Sequence, residues 1–250
     1  MSELQERAQS WEADWWGNCV NSFGEEAKQI TYAHRMGLVN EPQVGKWPVY
    51  NLRGATVIDL GGGPASMLLK SIGGYGIVVD PCPYPSWVAE RYKAAEIGYR
   101  VEKAEGFTVP DRFTECWIYN VLQHVVDPER VIEAARACAY TLRIFDWLET
   151  PAAEGHPHTL HAHDLNRWIG GSGQVAQIDE NGAVGLAYYG FFDLRIRAAD
   201  NGAPDWTAAG VPGEPGIPRD TCRRCGFKIS APAFSHREPC PNCGEVWANE

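Results

Sequence analysis

No stretch of the chain approaches 18 consecutive apolar residues, the length a membrane-spanning helix requires. The opening MSELQERAQSWEADWW holds neither an apolar h-region nor a block of positive charge, so no export or organelle signal is read there. A soluble, cytoplasmic protein with no membrane partner is the expectation. Basic residues are also in short supply: 22 Lys and Arg against 32 Asp and Glu give a net charge of −10. That balance argues against a broad nucleic-acid footprint and leaves room only for a local patch. What is present is apolar content of 44% over 250 residues, enough for one full α/β core and a small accessory unit.

The most informative stretch is Val57–Ser66, VIDLGGGPAS, followed by YGIVVD ending at Asp80. It reads as a buried strand with an acid at its end, a glycine turn, a helix, and a second strand closed by another acid. Glycines let the backbone turn sharply and approach a ligand, and the acid closing the second strand can accept hydrogen bonds from a ribose diol. Gly61, Gly63 and Ser66 only approximate the G-x-G-x-x-G/A fingerprint of dinucleotide sites. Asp59 discriminates better, because a carboxylate two residues before the first glycine would face the two phosphate charges of a dinucleotide. It suits S-adenosylmethionine, which carries a sulfonium and an ammonium and no phosphate. A dinucleotide site and a glycine turn without ligand are the alternatives.

Four segments in order resemble the class I S-adenosylmethionine-dependent methyltransferases over about residues 20–200. VIDLGGGPAS matches that family's first motif, and Asp80 stands at its ribose-binding acid. VEKAEGF resembles the turn after the third strand, and IYNVLQHVVDPERVI resembles the fourth strand and the helix after it. The resemblance implies a Rossmann-like α/β fold, with a mixed seven-stranded sheet sandwiched by helices and closed by an antiparallel hairpin. It implies that Asp59 and the Gly61, Gly62 and Gly63 turn hold the amino-acid end of the cofactor, and that Asp80 and Pro81 meet the ribose. Asn120 and Val121 then approach the methionine or adenosine. Lys103 stands where the family often has an acid for the adenine amino group, so that contact passes to Ala104 and Glu105.

Eight cysteines sort by spacing into two sets. Cys19, Cys82, Cys116 and Cys138 are scattered, whereas Cys222, Cys225, Cys240 and Cys243 form two C-x-x-C knuckles followed by Gly226 and Gly244. Two such knuckles can place four thiolates around one tetrahedral Zn2+, as in a zinc ribbon; two disulfides and a rubredoxin-type iron are the alternatives. A four-thiolate site has no open position, so this zinc would be structural. NGAPDWTAAGVPGEPGIP, rich in glycine and proline, reads as a linker. The expected organisation is an N-terminal helical cap over residues 1–50, a cofactor-binding domain over 51–200, a linker over 201–218 and a zinc ribbon over 219–250. The ribbon carries five basic and four acidic residues, leaving 17 against 28 and so −11 for the rest.

SFGEEAKQITYAHRMGL reads as a helix opened by a capping box of Ser22 and Glu25. Trp15, Trp16, Tyr32 and Met36 are candidates for a pocket lining there, against the plainer reading as core. Asp127 and Pro128 read as the N-cap and first residue of a helix with Val131, Ala135 and Cys138 on one face. TLRIFDW is a strand that places Asp146 at the carboxyl edge of the sheet. After it, EGHPHTLHAHDLNRWIG concentrates His156, His158, His161 and His163. Imidazole suits proton removal near neutral pH, and His158 and His161 are the preferred candidates for a general base. Solvated or capping histidines, and a metal site, are the alternatives. His124 reads as a packing residue, and Tyr188, Tyr189, Phe191 and Phe192 read as core.

The leading functional expectation is in-line methyl transfer to an oxygen, nitrogen or carbon of a small molecule. IYNVLQ lacks the N/D-P-P-Y/F signature of many exocyclic-amine DNA methyltransferases. A macromolecular methyltransferase that uses the ribbon to contact RNA, DNA or protein is the second expectation. A non-catalytic binder that keeps the cofactor fold is the third.

Overall fold

The order of strands follows from which segments are apolar throughout. A computed structural model of the chain describes residues 3–17, 19, 21–38 and 48–195. Segments such as Val57, Ile58 and Leu60, or Cys116, Trp117 and Ile118, are buried without alternation, as strands covered on both faces must be. They form β2 (Thr56–Leu60), β4 (Tyr75–Val79), β5 (Gly98–Arg100), β6 (Phe113–Tyr119) and β7 (Ala139–Trp147), all parallel. β8 (Gln174–Glu180) and β9 (Ala183–Asp193) close the sheet as a hairpin, with β9 antiparallel to both neighbours. The hairpin turns at Asn181 and Gly182, with φ of 54° and 76°, the pair of left-handed residues that a tight two-residue turn needs. The resulting seven-stranded, mostly parallel sheet has the order β5-β4-β2-β6-β7-β9-β8. A two-stranded ribbon of β1 (Tyr50–Asn51) and β3 (Ser71–Ile72) lies outside it. This is the Rossmann-like α/β architecture expected from the sequence.

Helices cover both faces. On one, α4 (Pro128–Cys138) and α5 (Ala162–Ile169) bury Val131, Ile132, Ala135, Leu165 and Ile169. Asp127 caps α4 by accepting the Arg130 N–H at 3.2 Å, and Pro128 stands at its start, as read from the sequence. On the other face lie α2 (Ser22–Arg35) and α3 (Ser86–Ala94), with Tyr32, Ala33, Met36, Val88 and Tyr92 in the core. A buried ion pair ties these layers: Arg143 donates to Glu115 at 2.8 and 3.1 Å and to the Met36 and Gly37 carbonyls.

Three local expectations are corrected. The segment between β2 and β4 is not an α-helix but two short 3-10 turns, Gly63–Ala65 and Met67–Lys70. Pro64 and the glycines at both ends leave too few residues for an α-helix to propagate. α2 fills that space instead, and Gln29 donates to the Ala65 carbonyl at 2.7 Å. The capping box at Ser22 does not form: its hydroxyl donates to the Cys19 carbonyl, and Glu25 pairs with Lys28. Phe191 is not core but 37% exposed, carrying the Arg143 guanidinium 4.3 Å over its ring.

Met1–Ile196 is one compact unit. The linker and the ribbon cysteines Cys222, Cys225, Cys240 and Cys243 lie outside the described residues. The four scattered cysteines are buried free thiols. Among the described residues no helix is long and apolar enough to cross a membrane.

Candidate active site

The sheet order reverses between β2 and β6, and in open α/β sheets ligands bind beyond the carboxyl ends of the strands at such a point. A cavity of about 440 Å3 lies there, within the range of roughly 300–1,000 Å3 usual for small-molecule sites. Of the ten residues that the sequence assigned to the cofactor, nine line it: Gly61, Gly62, Gly63, Asp80, Pro81, Ala104, Glu105, Asn120 and Val121.

Asp59 is the tenth, and the structure places it behind the turn rather than in the cavity. It is fully buried, and its Oδ2 accepts the hydroxyls of Ser66 at 2.5 Å and Tyr119 at 2.6 Å. A Cβ on Gly62 would lie 2.5 Å from that oxygen, so the turn can pass over the carboxylate only as glycine. Burial pushes the Asp59 pKa up to about 7, opposed by the Ser66 and Tyr119 hydroxyls. Direct contact with a ligand's ammonium is therefore corrected to support of the glycine turn. Gly61 is as constrained: its φ is +79°, and an added Cβ would meet both Val121 methyls at 2.6 Å.

Asp80, at the end of β4, does reach the cavity. Its Oδ2 accepts the Gly63 N–H at 3.0 Å and its Oδ1 the Cys82 N–H at 2.9 Å, which locks the carboxylate to the turn. Burial raises its pKa to about 6, against those two N–H groups and the Tyr84 hydroxyl. A carboxylate has about four acceptor positions, so capacity remains for a diol. Glu105 accepts the Val126 N–H at 2.7 Å and so sits at the entry to α4. Asn120 holds a left-handed φ of 56° directly after β6. The turn beyond it is fixed by Asp146, which accepts the Val121 and Leu122 N–H groups at 3.1 and 2.8 Å. Burial pushes Asp146 up to about 6.

The N-terminal helices roof the cavity. α1 (Glu3–Trp16) brings Trp11, Glu12, Trp15 and Trp16, and α2 brings Glu25, Lys28, Gln29 and Tyr32. Trp15, Trp16 and Tyr32 thus line the pocket as one reading had it, whereas Met36 is core. Trp11 and Trp15 stack with centroids 5.4 Å apart and planes 9° off parallel. Gln123 also lines the cavity, and its buried Oε1 has no hydrogen-bond partner.

The histidine assignment changes. His158 turns its Nε2 to the Val125 and Val126 carbonyls at 2.9 and 3.1 Å, and His161 is a half-exposed partner of Glu149. Neither lines the cavity; His124 and His156 do. Local spacing could not separate these histidines, because the loop folds back at a bridge between Ala153 and His156 and docks against α1. Among the described residues no cluster of His, Cys, Asp and Glu is arranged to hold a metal ion.

The lining carries four carboxylates, Glu12, Glu25, Asp80 and Glu105, against one ammonium, Lys28, which is already bonded to Glu25 at 2.6 Å. Such a field attracts a cation and repels a diphosphate. The residues present fit S-adenosylmethionine on three observations: the acidic lining, the Asp80 acceptor locked to the glycine turn, and the unpaired Gln123 oxygen.

No family model matches the chain, and no curated protein matches it in sequence. Solved structures do match, at low identity. A DhpI–SAH complex is 13% identical, with 76% of this chain and 97% of that one covered and a TM-score of 0.49. A SAM-dependent methyltransferase from Aquifex aeolicus is 17% identical, with coverage of 70% and 94% and a TM-score of 0.45. The 1,6-didemethyltoxoflavin-N1-methyltransferase of Burkholderia thailandensis is 14% identical, with coverage of 70% and 78% and a TM-score of 0.46.

Proposed function

We propose that this chain is an S-adenosylmethionine-dependent methyltransferase that acts on an oxygen, nitrogen or carbon of a small molecule. The observation that carries the reading is the acidic cavity at the strand-order reversal, with Asp80 hydrogen-bonded to the Gly61–Gly63 turn. Bound there, the sulfonium would supply an activated methyl group with sulfur as the leaving atom. The chain's own residues align and enclose. Asp80 accepts from the ribose, the Gly61–Gly63 turn admits the amino-acid end, and Ala104 with Glu105 borders the adenine. Gln123 offers a further acceptor. Holding nucleophile and methyl in line accounts for a large part of such a rate, since effective molarities of about 10^5–10^8 M are reached by orientation alone.

The small-molecule reading is supported by the roof. Trp11, Trp15, Trp16, Tyr32 and Trp147 contribute aromatic surface to the lining, which suits a compact acceptor. We further propose that Cys222, Cys225, Cys240 and Cys243 bind one structural zinc. Calorimetry with S-adenosylmethionine and S-adenosylhomocysteine tests the cofactor reading. Micromolar binding lost in Asp80→Ala is expected, and absence of binding by the intact, folded protein refutes it. Binding without turnover on any acceptor pool would favour a non-catalytic binder, and strong salt-sensitive RNA binding a macromolecular substrate.

A further inference from the structure

The cavity contains one arrangement beyond the cradle of Asp80 and the glycine turn. Glu12 of α1 places Oε1 2.6 Å from Nδ1 of His124, which follows β6. The Gly155 carbonyl lies 2.8 Å from the same nitrogen. Two acceptors on Nδ1 require that it carry the proton, so in neutral His124 the lone pair is at Nε2. The ring of His156 lies 4.5 Å from that of His124, and Trp11 lies 5.9 Å from His156. All four side chains line the cavity. α1 is seated on this loop by close packing, because a Cβ on Gly155 would meet the Trp11 ring at 2.3 Å.

We propose, resting on the methyltransferase reading, that Glu12 and His124 form a carboxylate–imidazole pair that deprotonates the acceptor, and that the acceptor is an aromatic ring bearing a hydroxyl or ring N–H. The proton passes from the acceptor to Nε2, and the pair that held it stays on the acceptor as the nucleophile. The carboxylate of Glu12 offsets the imidazolium charge. His124 touches the acceptor and is the catalytic residue; Glu12 acts through it and is a positioning residue. Trp11 and Trp15 supply flat aromatic surface beside the reacting group. An amine or thiolate that is already a free nucleophile needs no such pair, which sets the acceptor class.

The groups around His124 agree. Burial disfavours its charge, but the Glu12 hydrogen bond and charge outweigh burial, Asp146 adds to them, and the pKa is raised. His156 moves the other way, lowered by burial and then by His124, against Glu12. The two rings are thus pushed in opposite directions, His124 toward its protonated form and His156 toward its neutral one.

The test uses the full chain with S-adenosylhomocysteine bound, and calorimetry on the same sample reports separately whether the cofactor reading stands. Imidazole 15N NMR is expected to show the His124 proton on Nδ1 and a midpoint that falls by about one pH unit in Glu12→Gln. 4-Nitrophenol serves as the acceptor probe, read by phenolate absorbance: it is expected to ionise at lower pH in the site than free, and to lose that shift in His124→Gln. His161→Gln should alter neither readout. If S-adenosylhomocysteine binds while the His124 midpoint ignores Glu12→Gln, the pair is overturned. If nitrophenol does not bind, or binds neutral, the acceptor class is overturned. Failure of S-adenosylhomocysteine to bind overturns the methyltransferase reading itself.

Discussion

Replacing Asp59 by asparagine removes a charge that the fold has already half suppressed, and the consequence can be worked from its burial. The carboxyl pKa rises from 3.8 to about 7 on folding, so the folded chain binds this proton more tightly than the unfolded chain. Stability from this group is complete below the unfolded value and is lost as pH rises toward the folded one. Three units at about 1.4 kcal/mol each make the full effect about 4 kcal/mol, with about 2 kcal/mol of it falling between pH 5 and 7. Asparagine keeps an oxygen for the Ser66 and Tyr119 hydroxyls and titrates nowhere. Its amide nitrogen takes the place of Oδ1, which has no partner, at a pH-independent cost of about 1–3 kcal/mol. The stability difference between Asp59→Asn and the native chain should therefore move in favour of asparagine by about 2 kcal/mol from pH 5 to 7. Urea unfolding at several pH values, followed by tryptophan fluorescence, measures it. A constant difference would refute the raised pKa. An opposite slope, together with loss of S-adenosylmethionine binding at pH 8, would restore Asp59 as a charged ligand group.

Gly61→Ala should cost about 2–5 kcal/mol, from a left-handed φ and a collision with Val121; Val121→Ala in the same chain should recover the collision but not the backbone strain, in a double-mutant cycle of unfolding. S-adenosylmethionine affinity should weaken about tenfold from pH 7 to pH 5, because a ribose acceptor must be ionised and Asp80 protonates near 6; an affinity indifferent to pH would remove Asp80 from that role. The full chain should carry one zinc by elemental analysis, lost when Cys222 and Cys243 are both replaced by serine, and a metal-free chain with its two knuckles oxidised would point to disulfides.

The parts of this protein legible in its sequence are those set by neighbours along the chain. Strand β2, the Gly61–Gly63 turn and the Asp127–Pro128 helix start each depend on a few consecutive residues, and each stands where the spacing put it. The Asn181–Gly182 turn likewise sets the closing hairpin. Errors fall where a partner comes from far away. Asp59 looks like an exposed ligand group only until Tyr119, sixty positions on, and Ser66 enclose it. His158 and His161 look better placed than His124 as long as α1 is out of view. Nothing local to Glu12 marks it, since an acid within a polar helix is ordinarily solvated, and only its 2.6 Å approach to His124 gives it a role. The missing α-helix after β2 is partly local, set by Pro64 and the flanking glycines, while Gln29 of α2, earlier in the chain, bonds to the turn that stands in its place. One consequence ties site to fold. Because α1 and α2 supply the roof while the sheet supplies the cradle, undocking α1 would remove Glu12 and Trp11 from the cavity and leave Asp80 and the glycine turn in place. The proposed Glu12–His124 pair therefore depends on α1, and a substitution at Glu12 should disturb that pair while the Gly63 and Cys82 N–H bonds to Asp80 stay in place.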